Sequence, residues 1–119
     1  MDQSTIVSAD TSCQLLGAAG LVLDLGKREV RRDGQKLYLE LREYQLLEYL
    51  LRNKNRIVPR DEILQEVWGK DILNHTLDAR MSALRKKIDH DFPVKVLYTI
   101  SRKGYLLIDH ATTHENENQ

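Results

Sequence analysis

The chain has 119 residues, of which 41% are hydrophobic and 30% are charged, and these values are typical of one globular domain. Eighteen lysines and arginines balance eighteen aspartates and glutamates, so no field of the whole molecule draws it to nucleic acid or to an anionic membrane. The single cysteine, Cys13, excludes an internal disulfide, and the lack of a secretory signal pattern or a long apolar run favours a cytoplasmic protein.

Short β-strands are predicted over the first third of the chain, after a polar tail at residues 1–12. Apolar and polar residues alternate there, which is the period of a strand with one buried face. Asp33-Gly34 lies between two such runs, and a type I′ hairpin turn favours this pair because both positions need a positive φ. We therefore predict an antiparallel sheet of three or four strands. The expected strands are residues 13–16, 21–25, 27–32 and 36–39.

Three helices are predicted next, because the hydrophobic period changes to that of an amphipathic helix. The first begins near Arg42 and ends near Asn53. The second opens at Pro59, whose fixed φ suits the first helical position, and Gly69 stops it. The third, from about residue 76 to 88, has one narrow apolar face. That face consists of Leu77, Met81, Leu84 and Ile88.

A hairpin with a basic tip is predicted after Pro93. Apolar residues alternate from 94 to 100, a turn occupies 101–104, and a second strand returns. Residues 77–105 contain seven lysines and arginines and only three aspartates, so positive charge is concentrated in the third helix and this hairpin. Residues 110–119 are polar and are expected to form a second tail.

The outward face of the third helix suits the major groove of B-DNA. Its centre is small and its edges are cationic, so the helix can lie deep in the groove while the cations reach phosphates or guanine. A basic hairpin tip suits the adjacent minor groove, whose negative potential attracts arginine. This face alone fits a solvated surface helix equally well. The centre contains Ala79, Ser82, Ala83 and Lys86, and the edges contain Arg80, Arg85 and Lys87.

Residues with the pattern of a catalytic or metal site are not found. The histidines lack cysteines or carboxylates at metal-ligand spacing, and no nucleophile or phosphate-loop motif occurs. Cys13 is better explained as a small apolar filler than as a nucleophile. An enzyme is therefore not predicted, and neither a metal nor another cofactor is implied.

Several short strings occur in a specific order and spacing. Among them are Arg32-Asp33-Gly34, Arg60-Asp61-Glu62-Ile63-Leu64, Val67-Trp68-Gly69, Leu84-Arg85-Lys86-Lys87-Ile88 and Gly104-Tyr105. Together they make residues 13–109 resemble the winged helix-turn-helix DNA-binding domain of the OmpR/PhoB family of bacterial transcription regulators. The resemblance implies an α+β fold, with the third helix as recognition helix in the major groove and the hairpin, or wing, at the minor groove.

Departures from the usual family pattern favour a subgroup. Ser82-Ala83 replaces two arginines that response regulators usually carry, and Glu40 replaces a threonine. The strings that look more like the CadC/ToxR regulators are Asn74-His75, Met81-Ser82, Leu84-Arg85-Lys86 and the lysine before Gly104-Tyr105. Those regulators lack a receiver domain and commonly precede a transmembrane helix. A membrane is therefore an expected partner only if the native protein continues beyond residue 119 into an anchor.

The outward face, the hairpin tip and the resemblance together give a set of candidate DNA-binding residues. The resemblance implies that Arg60 and Trp68 contact the phosphate backbone, although Trp68 also fits core packing and Arg60 an ordinary solvated position. It also implies that His75 and Thr76 face DNA. The full set is Arg60, Trp68, His75, Thr76, Arg80, Ser82, Ala83, Arg85, Lys86, Lys87, Arg102 and Lys103.

Double-stranded DNA is the partner that this interpretation predicts. The segment 70–74 matches a loop that contacts RNA polymerase in some family members, but a plain connector explains it as well. Pairing of two copies on DNA is also allowed. The alternative function is a winged-helix module that binds a protein instead of DNA, and Arg80, Arg85 and Arg102 are the residues that distinguish the two.

Overall fold

The computed structural model describes residues 15–69 and 74–109, and these residues form two antiparallel sheets packed on helices, as predicted. The predicted tails and Cys13 lie outside the described residues. The N-terminal strands are β1 Leu15–Ala18, β2 Leu21–Asp24, β3 Glu29–Arg32 and β4 Gln35–Leu37. The helices are α1 Leu41–Arg52, α2 Arg60–Ile63 with its continuation Leu64–Trp68, and α3 Asn74–Ile88. Three further strands are β5 Ile57–Val58, β6 Leu97–Ile100 and β7 Gly104–Leu107.

The N-terminal sheet has the strand order β1-β2-β3-β4, so the four-stranded version of the prediction is confirmed. Asp33 and Gly34 have φ values of 53° and 87°, which are the two positive values that the predicted turn requires. The strand β3 is shorter than expected because residues 25–28 belong to the preceding turn, and β4 ends at Leu37 instead of residue 39. Leu21, Leu23 and Val30 are buried and direct this sheet onto the helices.

The helical stripes lie in the core as their periodicity predicts. In α3 the whole predicted apolar face is buried. In α1 the buried side chains recur every three or four residues and so form one face of the helix. This face packs in the core against α3 and both sheets. The buried residues of α1 are Glu43, Tyr44, Leu46, Leu47, Leu50 and Leu51.

The second helix stops at Gly69, as predicted, but it begins at Arg60, because Pro59 is an extended N-cap with a ψ of 150° and not the first helical residue. Its second half is wound more loosely than an α-helix. The N–H of Gly69 donates to the carbonyl of Leu64 at 3.0 Å, a five-residue spacing, and Leu64–Trp68 is a π-helical turn. Gly69 then takes a φ of 67°, which side chains with a Cβ rarely adopt. Val67 and Trp68 are partly buried against the core.

The predicted two-stranded hairpin is part of a three-stranded sheet with the order β5-β7-β6. The strand β5 was not predicted, because two residues are too few to show a period. It lies so close to β7 that a Cβ on Gly104 would stand 2.0 Å from the carbonyl oxygen of Val58. The turn between β6 and β7 is fixed by the N–H of Lys103, which donates to the carbonyl of Ile100 at 2.9 Å.

A buried ion pair joins the two sheets through the end of α3. Arg32 is 1% exposed, and its Nη1 lies 2.9 Å from Oδ1 of Asp89. Its guanidinium also donates to the carbonyls of Ile88 and Val94 and lies 4.9 Å from the ring centre of Phe92. The ion pair therefore fixes the end of the third helix to the N-terminal sheet.

The Asp89 carboxylate also explains why β6 is shorter than predicted. It accepts the backbone N–H of Val96 at 3.1 Å and that of Leu97 at 2.9 Å. The alternating segment from residue 94 is thus bound to the end of a helix, and strand pairing begins only at Leu97. The alternation predicted burial correctly at Val96 but not at Val94, which is 44% exposed.

Candidate nucleic-acid interface

The outward face of α3 has the small, polar centre that the sequence predicts. Ser82 and Lys86 are exposed, and Ala83 is half-buried between them. Ala79 extends the same face toward the start of the helix and is also exposed. Because the opposite stripe is buried to within 1% exposure, the helix has one free face and cannot rotate to offer another.

The cations on one edge of this face are paired with carboxylates of α1. Nη1 of Arg80 lies 2.6 Å from Oε1 of Glu40, the residue that precedes the first turn of α1. Nζ of Lys87 lies 2.7 Å from Oε1 of Glu43, which is 2% exposed and also accepts the N–H of Glu40. The sequence count of positive charge did not reveal these pairs, because the carboxylates are 40 and 44 residues away along the chain.

The opposite edge of α3 lies beside the wing. Nη2 of Arg85 donates to the hydroxyl of Thr99 on β6 at 2.7 Å, so a neutral group holds this arginine. The side chain of Lys86 has no hydrogen-bond or ion-pair partner among the side chains of residues 15–69 and 77–109. The available positive charge of α3 is therefore at its centre and on its wing side.

The start of α2 is connected to α3 and to β7 through Asp78. The carboxylate accepts hydrogen bonds from Arg60 and, at 2.8 Å, from the hydroxyl of Tyr105. The hydrogen bond from Arg60, followed by that from Tyr105, lowers the pKa of Asp78, so this carboxyl group is ionised at neutral pH. Arg60 is thus oriented by α3 and is not an ordinary solvated residue.

The wing tip places two cations next to Arg60. The side chains of Arg102 and Lys103 are exposed, and neither side chain has a hydrogen-bond or ion-pair partner in the described part of the chain. Arg102 has a φ of 65°, a left-handed conformation that is uncommon for a residue with a Cβ. Both residues line a surface cleft of about 280 Å³ together with Pro59, Arg60 and Asp61. The structure therefore brings together cations that are some forty residues apart in the sequence.

The remaining predicted site residues have different outcomes. Trp68 is partly buried against the core, and the guanidinium of Arg42 lies 4.9 Å from the centre of its ring, so core packing is the role that its environment supports. His75 and Thr76 are in the first turn of α3, and their side chains lie outside the described residues, as does the segment 70–73. Within the described residues, no helix is long and apolar enough to cross a membrane.

Comparison with known proteins places this arrangement in a protein class. Residues 34–107 match the family described as "Transcriptional regulatory protein, C terminal". The chain therefore belongs to this family of OmpR/PhoB-type DNA-binding domains, whose members are transcription regulators and not enzymes. The predicted fold, family and function class are thereby confirmed.

Three bacterial regulators illustrate the similarity of this chain to known proteins. The transcriptional regulatory protein CusR of Escherichia coli K12 is 37% identical over 91 residues, which cover 75% of this chain and 40% of CusR. The solved DNA-binding domain of E. coli CadC has a TM-score of 0.67 and 28% identity, covering 79% of this chain and 91% of that domain. The DNA-binding domain of Klebsiella pneumoniae RstA, solved in complex with the RstA box, has a TM-score of 0.71 and 27% identity over 82% of this chain and 99% of that domain.

Proposed function

We propose that this domain binds duplex DNA with α3 in the major groove and the wing tip at the adjacent minor groove. The observation that carries the proposal is the placement of available cations. Lys86 stands at the centre of the free face of α3, and Arg102 and Lys103 stand beside Arg60 at the wing tip. The solved complex of the RstA domain with its DNA box supports the same partner for this fold.

The proposed roles of the site residues follow from their surroundings. Ser82 and Ala83 allow close approach of α3 to the floor of the groove, since neither extends far from the backbone. Arg60, Lys86 and Lys103 are assigned to phosphates, and Arg102 to the minor groove. On the family resemblance, Trp68 is assigned to the phosphate backbone, and His75 and Thr76 are assigned to the surface that faces DNA.

The wider setting of the domain is also a proposal. The chain spans 40% of the length of CusR, so a complete regulator of that kind carries further sequence. We place the domain in the cytoplasm of a bacterium, where DNA is accessible. RNA polymerase at residues 70–74 and a second copy on adjacent DNA are further proposed partners.

Binding is expected to weaken steeply with salt, because most of the proposed contacts are to phosphates. If about four phosphates are neutralised, the logarithm of the association constant should fall with the logarithm of salt concentration with a slope of about −4. Fluorescence anisotropy with a labelled duplex of mixed sequence would measure this slope over a series of salt concentrations. A flat response would contradict DNA binding and favour the protein-interaction module.

Two alanine variants should separate base readout from phosphate contact. Arg102→Ala is expected to lower affinity by about 1–3 kcal/mol, and more on duplexes with A·T-rich flanks, because narrow minor grooves attract arginine most strongly. Lys86→Ala should weaken all duplexes alike, because one ammonium contact to phosphate carries little base information. The measurement is anisotropy on matched A·T-rich and G·C-rich duplexes. Equal losses on both duplexes for Arg102→Ala would remove the minor-groove assignment.

A further inference from the structure

The two edges of α3 differ in the partners of their cations. On the α1 edge, Arg80 and Lys87 each contact a carboxylate within 2.7 Å. On the wing edge, the side chain of Arg85 donates to the hydroxyl of Thr99 and pairs with no carboxylate of the described residues. Arg80 and Lys87 are seven residues apart, which places them on the same side of a helix two turns from one another. The neutralised edge is therefore continuous along the helix.

Glu40 is the exposed member of this carboxylate pair. Its side chain is 65% exposed and that of Arg80 is 38% exposed, whereas Glu43 is buried and is held by a backbone N–H as well as by Lys87. Hydrogen bonding from Arg80, and then the charges of Arg80 and Lys87, lower the pKa of Glu40. The carboxylate is consequently negative at neutral pH, on the side of α3 that faces away from the wing.

We propose that Glu40 is a specificity-determining residue that withholds Arg80 from DNA phosphates. This inference rests on the proposed function and concerns the same face of α3. Glu40 acts as an internal competitor, because its carboxylate occupies the guanidinium that a phosphate would otherwise bind. The sequence-independent part of DNA binding then depends on the cations of the wing edge and wing tip. Because this part is smaller without Arg80, contacts to the correct bases contribute a larger share of the total affinity.

The strength of the contact is suited to such competition. An ion pair between exposed side chains contributes only about 0–1 kcal/mol, so Glu40 weakens a phosphate contact without abolishing it. Once Arg80 is turned toward phosphate, the carboxylate would also stand near the DNA backbone and repel it. Sequence-independent affinity comes mainly from phosphate neutralisation, so the loss of one cation lowers the affinity for every duplex.

The test measures the affinity of the full chain and its variants for a labelled duplex of mixed sequence over a range of salt concentrations. Glu40→Gln removes the charge with almost no change of shape. It is expected to bind about three- to tenfold more tightly at low salt. Its salt dependence should be steeper by about 0.9, because one further phosphate is neutralised. Glu40→Thr should behave in the same way and provides a second variant whose side chain is favoured at a helix N-cap.

Two controls isolate the role of Arg80. Glu48→Gln removes the same charge from α1 at a carboxylate that pairs with Arg52, so it should leave both the affinity and the salt slope close to those of the parent. In an Arg80→Met background, Glu40→Gln should give no further gain. Thermal unfolding of each variant verifies that the compared proteins are folded at the temperature of the assay.

The outcomes separate this inference from the proposed function. Salt-dependent binding by the parent, with tighter binding only when Arg80 is present, supports the role of Glu40. Equal gains for Glu40→Gln and Glu48→Gln would show a general charge effect and overturn it. Weaker binding by Glu40→Gln would show that the carboxylate aligns Arg80 for DNA, and would also overturn it. A parent that binds no duplex at any salt concentration would instead refute the proposed function.

Discussion

Asp89→Ala is expected to lower the free energy of unfolding by about 3–5 kcal/mol, because it leaves the guanidinium of Arg32 buried without its counter-charge. The loss has a second part. The buried N–H groups of Val96 and Leu97 both donate to the Asp89 carboxylate, so its removal takes this acceptor from both of them. Unsatisfied buried donors add to the cost of the change. Chemical denaturation monitored by circular dichroism would measure the loss in the free energy of unfolding.

The matched control is Asp91→Ala, two residues further along the chain. The Asp91 side chain is 82% exposed and contacts only His90 among the interactions described, so its removal should change stability by little. Equal stability of the two variants would mean that the buried pair is not formed in solution. Arg32→Met should also destabilise the protein, but it replaces the guanidinium with an apolar side chain and leaves Asp89 its two backbone donors.

The buried pair also affects the proposed interface. It attaches the last turn of α3 to the N-terminal sheet and the first residue of β6 to the same turn. The Asp89 carboxylate therefore helps to fix the placement of the recognition helix relative to the wing, together with the contacts of Arg85 to Thr99 and of Tyr105 to Asp78. A variant that is folded but has lost this pair is expected to bind DNA less tightly, since two elements that bind adjacent grooves gain affinity from being held in fixed geometry.

Much of the fold could be predicted because local signals agreed with the tertiary structure. The positive φ values at Asp33 and Gly34 follow from residue types that tolerate them, and the α3 stripe follows from the helical period. The shortened β6 could not be predicted from alternation. Its start depends on the Asp89 carboxylate, which binds the backbone of residues that a strand would otherwise have used.

The sequence predicted which face of α3 is exposed, but it did not predict which of the cations on that face are paired with carboxylates. The sequence indicates which face of α3 is free, because the hydrophobic period defines the buried face and the other residues of the helix must face outward. It does not show that α1 places Glu40 and Glu43 against two of the four cations of α3. The spacing of these glutamates is that of an N-terminal capping box, which is a local signal of a helix start and carries no information about a contact to another helix.

Leu84→Ala is expected to destabilise the domain by about 2–5 kcal/mol, through the lost burial of the side chain and the cavity that remains. Leu84 has no exposed surface and lies in the stripe that joins α3 to α1. Domains of this size are commonly stable by only about 5–15 kcal/mol, so the change is a large fraction of the total. Thermal and urea unfolding would measure the loss, and DNA binding should fail in parallel with the folded fraction.

A matched leucine in α1 makes the Leu84 experiment specific for burial. Leu41 begins α1 and is 61% exposed, so Leu41→Ala removes the same atoms at almost no expected cost. At a temperature where the Leu84→Ala variant is still largely folded, its affinity for DNA should approach that of the parent, since Leu84 faces away from the proposed groove contacts. A normal melting curve for this variant would mean that the helical phase of α3 is wrong. The free face would then consist of different residues, and the assignment of Ser82, Ala83 and Lys86 to DNA would fail with it.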